Sequence, residues 1–152
     1  MRFFTLAWWR GDDESGGDAD APTAYGLHLE AIRHRLPTDL IALEESGDLN
    51  DCRLSSFKLS AGAGELSLQL ETFEADALLT LTYSGLKQFN GFTDLLGGVG
   101  GSVGLGDLGY GECDVLPDGL IEHRLLFSSG IEWVMTFRDL NLRREPLAAS
   151  MP

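Results

Sequence analysis

Cationic residues are scarce in this chain: 11 Lys and Arg stand against 24 Asp and Glu, for a formal charge of −13. Phosphate backbones are bound by clustered Lys and Arg that release counterions, so this balance argues against a nucleic-acid partner. It disfavours an anionic membrane surface for the same reason. Long apolar runs are also missing. Leu78-Leu79 and Leu125-Leu126-Phe127 stop far short of the roughly 20 apolar residues that span a bilayer. Only two cysteines occur, Cys52 and Cys113, too few for a disulfide framework and too far apart for a CxxC site. They read as small core residues in a reducing cytoplasm.

Motifs of catalysis are equally sparse. No P-loop or HExxH pattern appears. The acidic stretch from Asp12 misses the EF-hand template, because Thr23 and Ala24 stand where a bidentate carboxylate is needed. Gly104-Leu105-Gly106-Asp107-Leu108-Gly109 is a formal GxGxxG match. A dinucleotide cradle needs a strand before it and a helix after it, and Tyr110-Gly111-Glu112 leads into a strand instead. The reading is therefore no cofactor and no metal site, with Gly97–Gly111 as a loop or a flap over a partner site.

What is present is enough for one domain. The 152 residues are 43% hydrophobic and 23% charged, the balance of a chain that buries a core. Phe3, Phe4, Trp8 and Trp9 make an apolar opening strand or turn of helix that must find cover. It is short, carries two tryptophans and is followed directly by the acidic stretch Asp12-Asp13-Glu14, so it does not read as a signal peptide. Residues 11–22 form an acidic, solvated loop. Thr23 caps an expected helix over 24–35, ended by Pro37, and a second short helix spans 40–45.

From Asn50 the period drops to two. Leu66, Leu68 and Leu70 alternate with polar residues, as do Leu79, Leu81 and Tyr83. Strands are also expected over 52–61 and 112–116. Pro117-Asp118-Gly119 then turns the chain into Ile121, His123, Leu125 and Phe127. Ile131, Trp133, Met135 and Phe137 give the clearest strand face, with Leu140 and Leu142 continuing past a bulge. The expectation is an α+β domain over residues 1–146. Its helical part is 1–49, and 50–145 form a mainly antiparallel sheet of about six strands, a meander open or barrel-like in form. Residues 147–152 are a tail.

His28, His34 and His123 are the only histidines. His123 breaks an apolar alternation, so it is expected on the inner face, where a lone histidine is usually a hydrogen-bonded structural residue. If the chain is an enzyme, His123 is the first candidate base, with Glu112 as its partner and Asp114 or Glu132 behind it.

Three segments together resemble a loosely defined group of uncharacterised bacterial proteins. These are Phe3-Phe4-Thr5-Leu6-Ala7-Trp8-Trp9, the junction Leu36-Pro37-Thr38-Asp39-Leu40 with Leu49-Asn50-Asp51-Cys52-Arg53-Leu54, and Trp133-Val134-Met135-Thr136-Phe137-Arg138-Asp139-Leu140. Members often carry a Leu-His-Asp-Ala-like step at the junction, where this chain has Asn50 and Cys52. The resemblance implies no activity.

These features favour a non-catalytic cytoplasmic binding module, of immunity or inhibitor type, for a basic protein. Its contact residues would be Asp12, Asp13, Glu14, Asp18 and Asp20. The alternative is an enzyme or small-ligand binder with a pocket between helices and sheet under the Gly97–Gly111 loop. A third reading is an oligomeric component whose aromatic N-terminus packs on a second subunit.

Overall fold

The structure is a computed structural model that describes residues 1–11, 20–91 and 104–148. Three helices precede the sheet: α1 (Leu6–Arg10), α2 (Ala21–Ile32) and α3 (Thr38–Ser46). Thr5 caps α1 by accepting from the Trp8 amide, and Gly11 ends it in the left-handed region. Helix α2 starts three residues earlier than the Thr23 cap implies. Asp20 precedes it and Pro22 fits its first turn, where no amide is needed. Pro37 separates a single 3₁₀ turn, Arg33–Arg35, from α3.

Eight strands follow: β1 (Cys52–Ser60), β2 (Glu65–Glu71), β3 (Ala77–Ser84), β4 (Gln88–Asn90), β5 (Asp107–Val115), β6 (Ile121–Phe127), β7 (Glu132–Phe137) and β8 (Asp139–Pro146). All pair antiparallel, in the order β4-β7-β6-β5-β1-β2-β3-β8. The α+β class and the antiparallel pairing therefore stand, and three finer expectations are corrected. Among the described residues there are eight strands rather than about six, the order is not a plain meander, and the sheet does not close into a barrel.

The extra strands come from two exchanges. Strands β1-β2-β3 form one meander and β5-β6-β7 another, and each passes its fourth strand to the other. β4 leaves β3 and pairs with β7, while β8 leaves β7 and pairs with β3. The expected bulge after Phe137 is this change of partner. At the crossing the Arg138 amide donates to Ser84 O at 3.0 Å and the Lys87 amide to Thr136 O at 2.8 Å. The chain turns there at Gly85, φ +61°, where any side chain would strike Arg138.

On the other side the two meanders meet through only two residue pairs, Cys52 with Leu108 and Arg53 with Asp107. Beyond these the β5 edge is covered by the N-terminal segment and α2. A one-residue register shift near Ser55 in β1 moves its apolar residues to opposite parity, so Cys52 and Leu54 are followed by Phe57 and Leu59.

The main core is Leu36, Leu40 and Leu43 against the inner sheet face, including Leu66, Leu68, Leu70, Leu79, Leu81, Trp133 and Phe137. A second cluster joins Phe4, Ala21 and Tyr25 with Phe3, Trp8 and Tyr110. Helix α3 also protects the outer strand, since Asp39 accepts the Leu142 amide at 2.8 Å. No helix among the described residues is long and apolar enough to cross a membrane.

Candidate functional site

Two helical positions and three strand positions send polar groups to one buried point. In α3, Leu40 and Leu43 face the core, and Glu44, four residues after Leu40, shares that side. In α2, Ala21 and Tyr25 are likewise one turn apart and buried. Tyr83 on β3, His123 on β6 and Cys113 on β5 are inward members of their alternations.

The groups form one hydrogen-bonded chain. The Tyr83 hydroxyl lies 2.8 Å from His123 Nδ1, and His123 Nε2 lies 3.1 Å from Glu44 Oε1. The Tyr25 hydroxyl donates to Glu44 Oε2 at 2.6 Å and accepts the Cys113 amide at 2.9 Å. Its oxygen is also 3.3 Å from Cys113 Sγ. With the proton on Nε2, every bond has a donor and an acceptor: Tyr83 gives to Nδ1, and Nε2–H and Tyr25 both give to the carboxylate. The His123 side chain is fully buried and that of Glu44 is 4% exposed.

Burial dominates the titration of this chain. It pushes the Tyr25 and Tyr83 phenols well above their ordinary range, and the Glu44 charge adds to both. The Cys113 thiol is pushed up to about 12, first by burial and then by Glu44. Cys52, whose thiol donates to Asp48 O at 2.8 Å, is also pushed up to about 12, by burial first and then by Asp48 and Asp51. Neither thiol is a thiolate at neutral pH, and neither phenol is ionised.

A small cavity of about 110 Å³ opens beside this chain between the helices and the sheet. Phe4, Tyr25, Glu44, Asn50, Tyr110 and Gly111 contribute to its walls. Gly111 gives this point room, because an added Cβ would stand 3.2 Å from His123 Nε2 and 3.3 Å from Leu49 Cδ1 and those side chains would have to shift. A second, shallower hollow of about 240 Å³ shares Gly47 and Asn50 with it. Asp48, Glu74, Asp76, Arg144 and the exposed Phe73 line this hollow. Arg144 reaches Asp48 at 2.7 Å and Asp76 at 3.4 Å. The Thr72 hydroxyl first, and Arg144 after it, hold the Asp76 carboxyl below its usual range.

Of the proposed pair His123 and Glu112, the structure brings only His123 to this point. The tight turn at Asp118-Gly119 sets Cys113 opposite His123 and Glu112 opposite Arg124, so Glu112 faces away. Its buried carboxylate instead receives the backbone amides of Arg2, Phe3 and Phe4, the last two at 2.9 and 3.1 Å. Asp114 pairs with Arg2 and, at 3.3 Å, with His28 Nε2, while Glu132 holds the Met1 amine. His34 is exposed in the 3₁₀ turn.

Among the expected contact residues, Asp20 is exposed beside α2, and Asp12, Asp13, Glu14 and Asp18 lie outside the described residues. Residues 97–103 of the glycine loop do too. The rest of that loop becomes the start of β5, paired with β6, so no helix follows Gly104 and Gly106. A wide cleft of about 700 Å³ lies where β1 and β5 part, lined by Arg53, Phe57 and Leu105 among others. Among the described residues its walls come from β1 and the chain entering β5 rather than from the helices. Among the described residues no three His, Cys, Asp or Glu side chains are grouped to hold a metal ion.

Sequence reasoning missed Glu44, Tyr25, Tyr83 and Cys113 as a group. Tyr83 stood in an expected strand alternation and Tyr25 and Glu44 in expected helices, but joining them needs the packing of α2 and α3 on the sheet. No family model matches the chain, and no curated protein matches it.

Proposed function

We propose that this protein is a non-catalytic binding module for a basic protein, with its contact face at the α3–β1 turn and the β2–β3 turn. The observation that carries this reading is the hollow at Gly47–Asn50, where three carboxylates surround an exposed Phe73 and only Arg144 opposes them. An exposed aromatic within an acidic rim suits a cationic partner: the ring supplies desolvated area and the charges steer approach. The chain's −13 charge extends that field over the whole molecule.

The buried chemistry supports binding over catalysis. Cys52, Cys113, Tyr25 and Tyr83 are all held in their protonated forms by burial. A nucleophile needs the opposite environment, one that lowers its pKa.

Affinity capture from the native cell at low salt tests the reading. The wild type should retain a basic protein in a stoichiometric, salt-sensitive complex. A variant carrying Asp48→Asn, Glu74→Gln and Phe73→Ala should lose it. Equal recovery by both proteins, or no specific partner with the wild type, overturns the proposal.

A further inference from the structure

We infer that the 110 Å³ cavity beside Glu44 is a receptor for an organic cation, the head of an alkylammonium or guanidinium group. The inference rests on a buried carboxylate that lines a cavity and that no Lys or Arg reaches among the described residues. Among those residues Glu44 has one ion-pair partner, His123. The phenols and thiol around the carboxylate are protonated and carry no positive charge. Holding a carboxylate away from water is costly, and a cation from outside lowers that cost.

The geometry leaves room for such a head. A carboxylate offers about four acceptor positions, and Tyr25 and His123 occupy one on each oxygen. Glu44 lines the cavity with acceptor positions to spare for N–H donors, and the exposed Asn50 lines it too. Phe4, Leu43, Leu49 and Tyr110 supply apolar wall for a short methylene stem. Gly111 keeps the floor clear, because any side chain there would press on His123. The cavity meets the acidic hollow at Gly47 and Asn50, so a lysine or arginine of a protein bound there could enter it. A free amine could enter from solvent by the same mouth. The chemistry is shared by both sources, and only the protein source depends on the function proposed above.

The test is an NMR titration of the full chain with propylammonium, propylguanidinium, 1-propanol and an acetylated, amidated Gly-Lys-Gly peptide. Signals of Tyr25, Gly111 and His123 should move saturably with the cations and not with 1-propanol. Glu44→Gln should weaken the response about tenfold or more, the loss expected for a charge-assisted contact. Because that variant disturbs the buried chain, Asn50→Trp serves as a second probe; it plugs the mouth from an exposed position and leaves the carboxylate intact. It should abolish the response while the fold and its unfolding midpoint persist.

Tighter binding of the peptide than of propylammonium assigns the cavity to a partner's side chain, and the reverse assigns it to a small amine. Equal response to 1-propanol, an unaffected Asn50→Trp, or no saturable shift overturns the inference. The two proposals fail separately. Saturation by propylammonium without any captured protein removes the partner and keeps the cavity. Capture of the same basic protein by Asn50→Trp and by wild type, with no cation response, does the converse.

Discussion

The two halves of the sheet are alike in topology and unlike in content. The half built from β1, β2, β3 and β8 buries leucine on leucine, with Leu66, Leu68, Leu70, Leu79 and Leu81 all fully buried and Cys52, Thr80 and Tyr83 as its polar contributions. The half built from β5, β6, β7 and β4 buries Trp133, Phe127 and Phe137 but also His123, Cys113 and Glu112. One half holds the fold by area removed from water. The other spends part of its interior on polar groups that must be paired at long range, Cys113 with Tyr25 and Glu112 with the first residues of the chain. Polar groups cost stability wherever a partner is lost, so the second half is where specificity and fragility meet.

That contrast can be broken most strongly from the leucine side. Leu81→Ala removes a fully buried side chain from the inner face and should cost about 2–5 kcal/mol. Urea unfolding should show it as a single earlier transition, with the N-terminal segment and the sheet lost together.

A smaller loss is expected on the polar side. Glu112→Ala strips the acceptor from the Arg2, Phe3 and Phe4 amides and should cost about 2 kcal/mol. Its signature differs in kind. The aromatic segment should detach first, seen as red-shifted emission from Trp8 and Trp9 before the sheet unfolds. A single concerted transition would show that the N-terminal cover is as integral as the leucine half.

The smallest effect near pH 10 is a pH dependence that both buried thiols share, Cys113 in the polar half and Cys52 in the leucine half. The folded Cys113 thiol is pushed from 9.0 up to about 12. Between those values the unfolded chain gives up this proton and the folded chain keeps it, so stability falls as pH rises. The contribution is whole below about pH 9, about 1 kcal/mol of it is gone near pH 10, and it is spent near pH 12. Unfolding midpoints measured across that window should fall, and Cys113→Ala should lessen the slope, the remainder belonging to Cys52. Leu81→Ala should leave the slope unchanged.

The same division separates what could be read in advance from what could not. Alternation is a local property, so the leucine faces of β2 and β3 and the inward placement of His123 were visible residue by residue. The Asp118-Gly119 turn even carried the register that sets Cys113 against His123, information that the pairing of His123 with Glu112 overlooked. Strand β4 has only three residues, too short for a period to show, and Asp107–Gly111 looked like loop because glycine carries no side-chain pattern. Gly109 belongs to β5 for a tertiary reason: the Trp9 ring lies where its side chain would be. The exchange of β4 and β8 between meanders has no local mark beyond Gly85 and the single residue Arg138.

By itself, then, the amino-acid order determined the antiparallel α+β class, the two helices around Pro37 and most inward-facing positions. These follow from steric rules and periodicities that act within a few residues. Only the tertiary structure decided which meander receives which outer strand, that Glu112 anchors the N-terminus, and that Glu44 ends up between Tyr25 and His123. Those outcomes depend on contacts between residues 19 to 110 positions apart. No local preference encodes such a contact, because its energy exists only once the helices have packed on the sheet.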